Sequence, residues 1–290
     1  MTALDATARP ITADEPAAQG RSIGVRLWTV TAVAVLAVLV AVWITSSIDP
    51  LTAVRELVAG AVDGRDRVSE TLVRAAPLAL VGLGAGVALR GGVVNVGGEG
   101  QMAIGAVGAV LATLALGGTP TPLVWLVATA AAVATAALWS AIPAALAAAR
   151  GVPEILSTLL MNFVTVSLMA WLLTETFLHD DDPYVITAQG DRLADRLEFP
   201  TIMDGTRFHI GIVVAIVVVV VAAWWMRTPA GLRIDLFGAN RSLAAQAGVR
   251  PRRAQARLLL ISAGFAGCAG AVQLFGISHR LTPGLTGGVG

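Results

Sequence analysis

Residues 208–226 of this chain read FHIGIVVAIVVVVVAAWWM, and residues 227–257 continue as RTPAGLRIDLFGANRSLAAQAGVRPRRAQAR. The first stretch holds no acid, lysine or arginine, and at about 1.5 Å per residue it is long enough to cross a hydrocarbon core about 30 Å thick. The second stretch carries seven arginines against a single acid, Asp235. Because positively charged connections stay on the cytoplasmic side of a membrane, this boundary predicts a transmembrane helix that leads into a cytoplasmic loop.

The composition extends this pattern to the whole chain. Of its 290 residues, 56% are hydrophobic and 13% are charged, and the mean hydropathy is +0.77. These values exclude an ordinary soluble domain, and apolar runs of about twenty residues recur along the sequence. We therefore predict an all-α, polytopic transmembrane helical bundle with about seven spans, at residues 26–47, 71–89, 96–116, 122–149, 154–175, 208–226 and 256–276.

The positions of the arginines predict the orientation of the bundle. With the amino terminus in the cytoplasm, Arg90, Arg150 and the arginine-rich loop 227–256 all lie on the inner side. The long loop 176–207, which is rich in aspartate, then lies outside. The arginine loop is the main evidence for this orientation, since acidic residues have little influence in the positive-inside rule.

Two segments before the second span have a different character. Residues 1–25 are rich in Ala, Thr and Pro, and they predict a disordered cytoplasmic tail ahead of a membrane domain at 26–290. Residues 48–70 are polar and charge-balanced, and Asp63-Gly64 predicts a turn within them.

The sequence offers no set of residues suited to catalysis. All 20 basic residues are arginine, so the lysine that a Walker A phosphate loop requires is missing. The three histidines, His179, His209 and His279, are far apart in the sequence and do not predict a metal site. We expect no enzymatic activity, no cofactor or metal, and no nucleic-acid partner. The single cysteine, Cys268, lies in an apolar span and is read as a small buried packing residue.

A glycine-rich segment, RGGVVNVGGEGQMAIG at residues 90–105, interrupts the apolar pattern. Its glycines weaken a helix, and Asn95, Glu99 and Gln101 stand beside them. One interpretation is a broken helix next to a transport pathway. Backbone groups without helical hydrogen bonds cannot face lipid, so such a break lies against protein or a water-filled cavity. A glutamate inside the membrane also indicates a functional site. The other is a plain cytoplasmic turn in which Glu99 is stabilised by the positive end of the next helix.

The span that begins at Glu154 carries a polar stripe. Glu154, Thr158, Asn162 and Thr165 recur at helical spacing on an otherwise apolar helix. Such a stripe faces either a pore or other helices through hydrogen bonds, and the residues favour neither. Small residues at helical spacing, the pair Gly82 and Gly86 and the series Ala263, Gly267 and Ala271, predict close packing between helices within the chain.

The arginine loop contains signals for a short helix. Asn240 is a good N-cap, residues 241–247 are compatible with a helix, and Gly248 is a good terminator. We expect an exposed helix of about two turns that presents Leu243, Ala244 and Ala247. Because so short a helix is marginal in water, it should dock either on the anionic membrane surface or on a partner protein.

Three motifs in order resemble a known family. They are NVGGEGQM at 95–102, EILSTLLMN at 154–162 and GANRSLAAQAG at 238–248. In combination they resemble the permease subunits of bacterial ABC importers for simple sugars and nucleosides, specifically the branch that serves purine or other nucleosides. The resemblance covers about residue 70 to the end of the chain.

The resemblance implies a multi-pass subunit of the bacterial cytoplasmic membrane that carries solute without covalent chemistry. Its implied partners are an ATP-binding cassette subunit that binds the ATP, a second permease subunit, an extracytoplasmic solute-binding lipoprotein and membrane lipid. It also implies a coupling helix at the ATPase, formed by Gly238, Asn240, Arg241, Ala244, Ala245 and Gly248. The candidates for a translocation pathway are Asn95, Glu99, Gln101, Glu154, Thr158 and Asn162.

Members of this family have nine or ten spans, so we expect this chain to be incomplete at its carboxyl end. Two other functions stay open on the residues alone. One is a secondary transporter driven by an ion gradient through Glu99 or Glu154, and the other is a membrane scaffold that transports nothing.

Overall fold

The structure is a computed structural model that describes residues 29–31, 33, 34, 36–38, 40, 44, 49–175, 189–246 and 248–288. The predicted tail 1–25 and most of the predicted first span, 26–47, lie outside the described residues. The chain divides into two units, Met1–Asp63 and Gly64–Gly290, which we treat separately. The first unit contains helix α1, Pro50–Val62.

Helix α1 replaces the first part of the polar connection expected at 48–70. It forms because Asp49 caps it, with the side-chain Oδ2 accepting from the backbone N–H of Thr52 at 3.1 Å, and because Pro50 stands at the first helical position. Leucine, alanine, arginine and glutamate, which are good helix formers, make up most of the segment that follows up to Val62. The predicted turn at Asp63-Gly64 is confirmed, since the helix stops there.

The second unit is helical throughout its described residues apart from connections and one isolated bridge between Thr201 and His209. Its helices are α2 (Arg65–Arg90), α3 (Gly98–Ala115), α4 (Thr121–Arg150), α5 (Glu154–Glu175), α6 (Ile210–Trp225), α7 (Pro229–Ala239), α8 (Arg241–Gln246) and α9 (Pro251–Gln273). A 3-10 turn lies at Asp195–Leu197, and α9 continues into a π-helical turn at Leu274–Ser278. The all-α prediction is confirmed.

Five helices in the described part of the chain are long and apolar enough to cross a membrane: α2, α3, α4, α5 and α9 with its π-helical turn. They coincide with five of the predicted spans. The predicted span 208–226 becomes α6, which is followed by α7 after a bend of 73°. The bend follows from Pro229, which lacks an N–H and disfavours a helical Thr228, found here in extended conformation. The bent pair is a sixth candidate span if α6 and α7 are taken together.

Helix α9 lies at the centre of the packing and contacts α2, α3 and α4. Its small residues permit this, because a Cβ at Gly267 would collide with the carbonyl oxygen of Ala132 and one at Gly270 with that of Met102. The predicted packing of Ala263, Gly267 and Ala271 is thus confirmed, and Cys268 is buried as expected.

The same prediction for Gly82 and Gly86 is wrong within the described residues, since a Cβ at either position meets no atom within 4 Å. The closely packed glycine of α2 is Gly84, where a Cβ would lie 2.6 Å from the carbonyl oxygen of Ser262 in α9. The spacing rule identified the right kind of residue, but the face of α2 that meets α9 contains Gly84 rather than its neighbours.

Candidate functional site

The chain between α2 and α3 forms a break of seven residues, 91–97, without regular structure. Gly92 makes it possible, because its φ of +66° lies in the left-handed region that favours glycine. The N–H groups of Gly91 and Val93 both bond to the carbonyl of Ala88, which closes the end of α2. The chain then runs without regular structure to Gly97, whose N–H donates to Asn95 Oδ1 at 3.0 Å, and enters α3.

An amide pair holds this break against the bundle. The side chains of Asn95 and Gln101 donate to each other, from Asn95 Nδ2 to Gln101 Oε1 at 2.9 Å and from Gln101 Nε2 to Asn95 Oδ1 at 3.1 Å. Asn95 Nδ2 also donates to Ser262 Oγ of α9 at 2.9 Å, and Gln101 Nε2 donates to Ser140 Oγ of α4 at 3.4 Å. The pair therefore joins the break to three helices. A cavity of about 160 Å³ lies beside it, lined by α2, the break, the start of α3, and α9.

The polar stripe of α5 covers the other side of the break. Thr158 is buried, and its Oγ1 accepts from the backbone N–H of Val96 at 3.3 Å. Asn162 Nδ2 donates to the carbonyl of Val96 at 2.9 Å, while its Oδ1 accepts from the N–H of Gly100 at 3.0 Å. These bonds satisfy backbone groups that a helix would have satisfied internally. Thr158 and Asn162 of the stripe thus bond to the break, and whether the stripe also lines a pore stays a prediction.

Glu99 stands in the first turn of α3 and is half-buried. Its Oε1 accepts from Thr286 Oγ1 at 2.9 Å, so the segment after His279 folds back to reach it. Leu281 and Leu285 of that segment are buried in the apolar core. A small cavity of about 30 Å³ is lined by Glu99, together with Asn162, Thr165, Thr282 and Thr286 among its polar residues.

Glu154 lies apart from this group. Its Oε2 accepts from Gln255 Nε2 at 3.0 Å, near the first turns of α9. The structure therefore brings Asn95, Glu99, Gln101, Thr158 and Asn162 around one break and places the Glu154 carboxylate in a separate link between α5 and α9. Whether any of the six contacts a solute stays a prediction.

The short helix expected in the arginine loop is confirmed as α8, Arg241–Gln246. Asn240 Oδ1 accepts from the N–H groups of Ser242 and Leu243 at 2.9 and 3.0 Å. Gly248 ends it with a φ of +85°. The expectation that Ala244 is exposed is wrong, because it is 2% exposed and packs into a cluster with Phe237. The helix is docked on its own protein by that side and presents Leu243, which is 59% exposed, on the other.

Helices α7 and α8 are tied to the start of the break. Arg90, the last residue of α2, donates to both oxygens of Asp235 in α7, from Nε at 2.9 Å and from Nη2 at 2.7 Å. Arg241 of α8 donates from Nη2 to the carbonyl of Gly92 at 3.1 Å. Gly238 packs so closely that a Cβ there would collide with the carbonyl oxygen of Arg90. Helices α7 and α8 therefore contact the residues at which the break begins.

The connections at the other end of α6 hold two histidines with lowered pKa values. Burial lowers the pKa of His209 from 6.5 to about 4, and the positive charges of His279 and Arg207 add to this. His209 Nδ1 caps α6 by accepting from the N–H of Gly211 at 3.1 Å. Burial also lowers the pKa of His279, whose Nδ1 lies 3.8 Å from Glu198 Oε1. The ring of His209 is therefore neutral at neutral pH.

Several partners in these contacts were missed from the sequence. Ser140, Ser262, Gln255 and Thr286 were not singled out, although a polar residue inside an apolar span is a signal for each of the two serines. Helix α7 was read as loop, even though Pro229 is a good first helical residue. The pairing of Arg90 with Asp235, 145 residues apart, has no signal in a single sequence.

Polar, non-helical breaks between membrane spans are common in transport proteins, where they lie against protein or line a cavity. The chain belongs to the family described as "Branched-chain amino acid transport system / permease component", which matches residues 67–286. It is therefore a multi-pass transmembrane protein of this permease family.

Relatives with assigned names agree with this class. The chain is 31% identical over 227 residues to the guanosine ABC transporter permease protein NupP of Bacillus subtilis, covering 77% of this chain and 64% of that protein. It is 29% identical over 271 residues to the glucose ABC transporter permease protein TsgB13 of Haloferax volcanii, covering 90% and 70%. It is 23% identical over 234 residues to the nucleoside ABC transporter permease protein NupB of Lactococcus lactis, covering 79% and 64%. The chain thus spans about two thirds of the length of these relatives. No solved structure matches the chain.

Proposed function

We propose that this chain is the permease subunit of an ATP-driven importer for nucleosides or related sugars. The printed names of the similar permeases, guanosine, nucleoside and glucose, support this solute class. A partner ATP-binding cassette subunit binds and hydrolyses the ATP, in keeping with the missing Walker lysine. A second permease subunit and a solute-binding lipoprotein complete the assembly in the cytoplasmic membrane, with the amino terminus of the chain inside.

The observation that carries the proposal is the link between α8 and the glycine break. Leu243 and Ala245 are exposed on α8 and available to a partner, while Ala244 fixes the helix to the bundle. Arg241 of α8 bonds to the carbonyl of Gly92, which is the second residue of the break. ATP-driven movement of the partner would therefore shift α8 and, through it, the polar residues that follow Gly92.

The solute-contacting groups are proposed to lie on the two cavities next to the break. Asn95 and Gln101 border the cavity of about 160 Å³, and Glu99 and Asn162 border the smaller one. Amide and carboxylate groups suit the hydroxyls of a ribose or hexose. Because the smaller cavity, at about 30 Å³, is the size of a single water, passage of a solute requires the bond between Thr286 and Glu99 to open. Thr158 and Glu154 act as supports for the break and for α9.

Association with the ATPase subunit tests the proposal at α8. Leu243 and Leu232 are each 59% exposed, on α8 and α7 respectively. We expect Leu243→Ala to weaken co-purification of the chain with its ATP-binding cassette subunit by at least about fivefold, as for a residue central to an interface. Leu232→Ala, the same change at equal exposure, should leave it unaltered. Unchanged binding in the Leu243 variant would contradict the assignment of α8 as the coupling helix.

A further inference from the structure

A third cavity, outside the proposed solute path, lies where the bent end of α6–α7 meets the start of α9. It has a volume of about 560 Å³. Its apolar wall is formed by Trp225, Ile234, Phe237, Leu258 and Ile261. Four arginines also line it: Arg233, Arg250, Arg253 and Arg257. We call this the arginine cavity.

The four arginines have no anionic partner among the residues that the structure describes. The acid closest to them in sequence, Asp235, is already engaged by Arg90 through both carboxylate oxygens. No carboxylate lines the cavity. Four positive charges on exposed side chains around one hollow raise a strong positive potential, which favours an anion inside.

The start of α9 adds to that potential. Its N-cap residue, Arg250, makes no side-chain cap hydrogen bond, and Pro251 fills the first helical position. The N–H groups of Arg252 and Arg253 therefore have no partner within the helix, and helix dipole and free amides both favour negative charge there.

The apolar wall and the position of the cavity indicate where the anion comes from. The cavity lies at the end of the apolar helix α6, next to Trp224, which is 68% exposed, and Trp225, and tryptophans concentrate where a membrane meets water. A hollow of about 560 Å³ is far larger than a phosphate ion needs. A phosphate attached to glycerol and the first part of an acyl chain would satisfy both the arginines and the apolar wall.

We propose that the arginine cavity is a binding site for the headgroup of an anionic phospholipid. The phosphodiester lies among Arg233, Arg250, Arg253 and Arg257, and the glycerol and upper acyl chain lie against Trp225 and Ile261. The site is distinct from solute transport, so it stands whether or not the chain carries nucleosides. Bound lipid would brace the junction of α7 with α9.

The proposal is tested with two matched double variants of the full chain, each of which removes two positive charges. Arg253→Gln with Arg257→Gln acts on the cavity, whereas Arg227→Gln with Arg252→Gln acts on arginines of the same loop that do not line it. Each protein is placed in nanodiscs of phosphatidylcholine with increasing phosphatidylglycerol. Bound phosphatidylglycerol is counted by native mass spectrometry.

We expect the cavity variant to bind phosphatidylglycerol at least about 30-fold more weakly than the natural chain, from at least about fivefold for each charge-assisted hydrogen bond to the phosphate that is lost. The control variant should change it by less than about threefold. Equal losses of phosphatidylglycerol binding in both variants would mean that the loop attracts anionic lipid without a defined site, and would overturn the proposal. No loss in either variant, or a loss only of ATPase binding in the cavity variant, would overturn it as well.

Discussion

At the scale of single residues, Gly100 leaves the room that the polar stripe of α5 occupies. A Cβ at this position would lie 2.6 Å from Thr165 Oγ1 and 2.9 Å from Asn162 Oδ1, which is itself bonded to the Gly100 N–H. The neighbouring atoms cannot move away from such a Cβ without breaking the hydrogen bonds that hold the break against α5. The third position of α3 therefore requires glycine.

We predict that Gly100→Ala destabilises the chain by about 1–3 kcal/mol, through overpacking and loss of the Asn162 bond. Gly86→Ala is the matched control, since a Cβ there meets nothing and alanine favours the helix by up to about 1 kcal/mol. Thermal unfolding in detergent measures both. A Gly100 variant as stable as the Gly86 variant would contradict the packing described for the stripe.

The buried His209 gives a second prediction at this scale. Its pKa is lowered from 6.5 to about 4 in the folded chain. Between these values the unfolded chain binds a proton that the folded chain does not, so stability is full above pH 6.5 and decreases as the pH falls. The expected loss from His209 by pH 4 is about 3 kcal/mol, before the smaller contribution of His279, whose pKa is lowered too.

The melting temperature measured from pH 7.5 to 4.5 tests this. His209→Asn keeps an acceptor for the Gly211 N–H but does not titrate, so its melting temperature should depend less on pH than that of the natural chain. Parallel pH profiles for the two proteins would show that His209 is not the source of the dependence.

At the scale of secondary-structure elements, the way in which the helices contact one another was harder to predict from the sequence than the positions of the helices. The spans were visible because an apolar run of membrane length has few alternative structures. The cap at Asn240 and the stop at Gly248 were visible because each is a local backbone requirement. The docking of α8 was not, since the burial of Ala244 depends on Phe237 and on helices far away in sequence.

The contact of α8 with the break predicts how Arg241 acts. Arg241→Gln removes the charged donor to the Gly92 carbonyl and the stacking on Phe237, at 5.6 Å between the guanidinium and the ring centre. We expect ATP-driven uptake of labelled guanosine to fall at least about fivefold, while the ATPase subunit still binds through Leu243. The control Arg252→Gln removes the same charge from the same loop. Equal uptake in the two variants would mean that α8 does not act through Gly92.

At the scale of the whole molecule, the hydropathy predicted a helical membrane bundle, and the three ordered motifs predicted its family. Both were confirmed. The contacts that organise the candidate site were not predictable, because Ser140, Ser262 and Thr286 come from separate helices or connections and meet only in the folded chain. A polar stripe such as Thr158 and Asn162 shows that a helix has a polar partner, but not which one.

The most direct test of the account is uptake of labelled guanosine by membrane vesicles that contain the chain together with its ATP-binding cassette and lipoprotein partners. We predict uptake that requires ATP hydrolysis, persists when a protonophore collapses the proton gradient, and falls at least about fivefold with Leu243→Ala but not with Leu232→Ala. Uptake that continues without ATP and stops with the protonophore would contradict it and would indicate an ion-driven transporter.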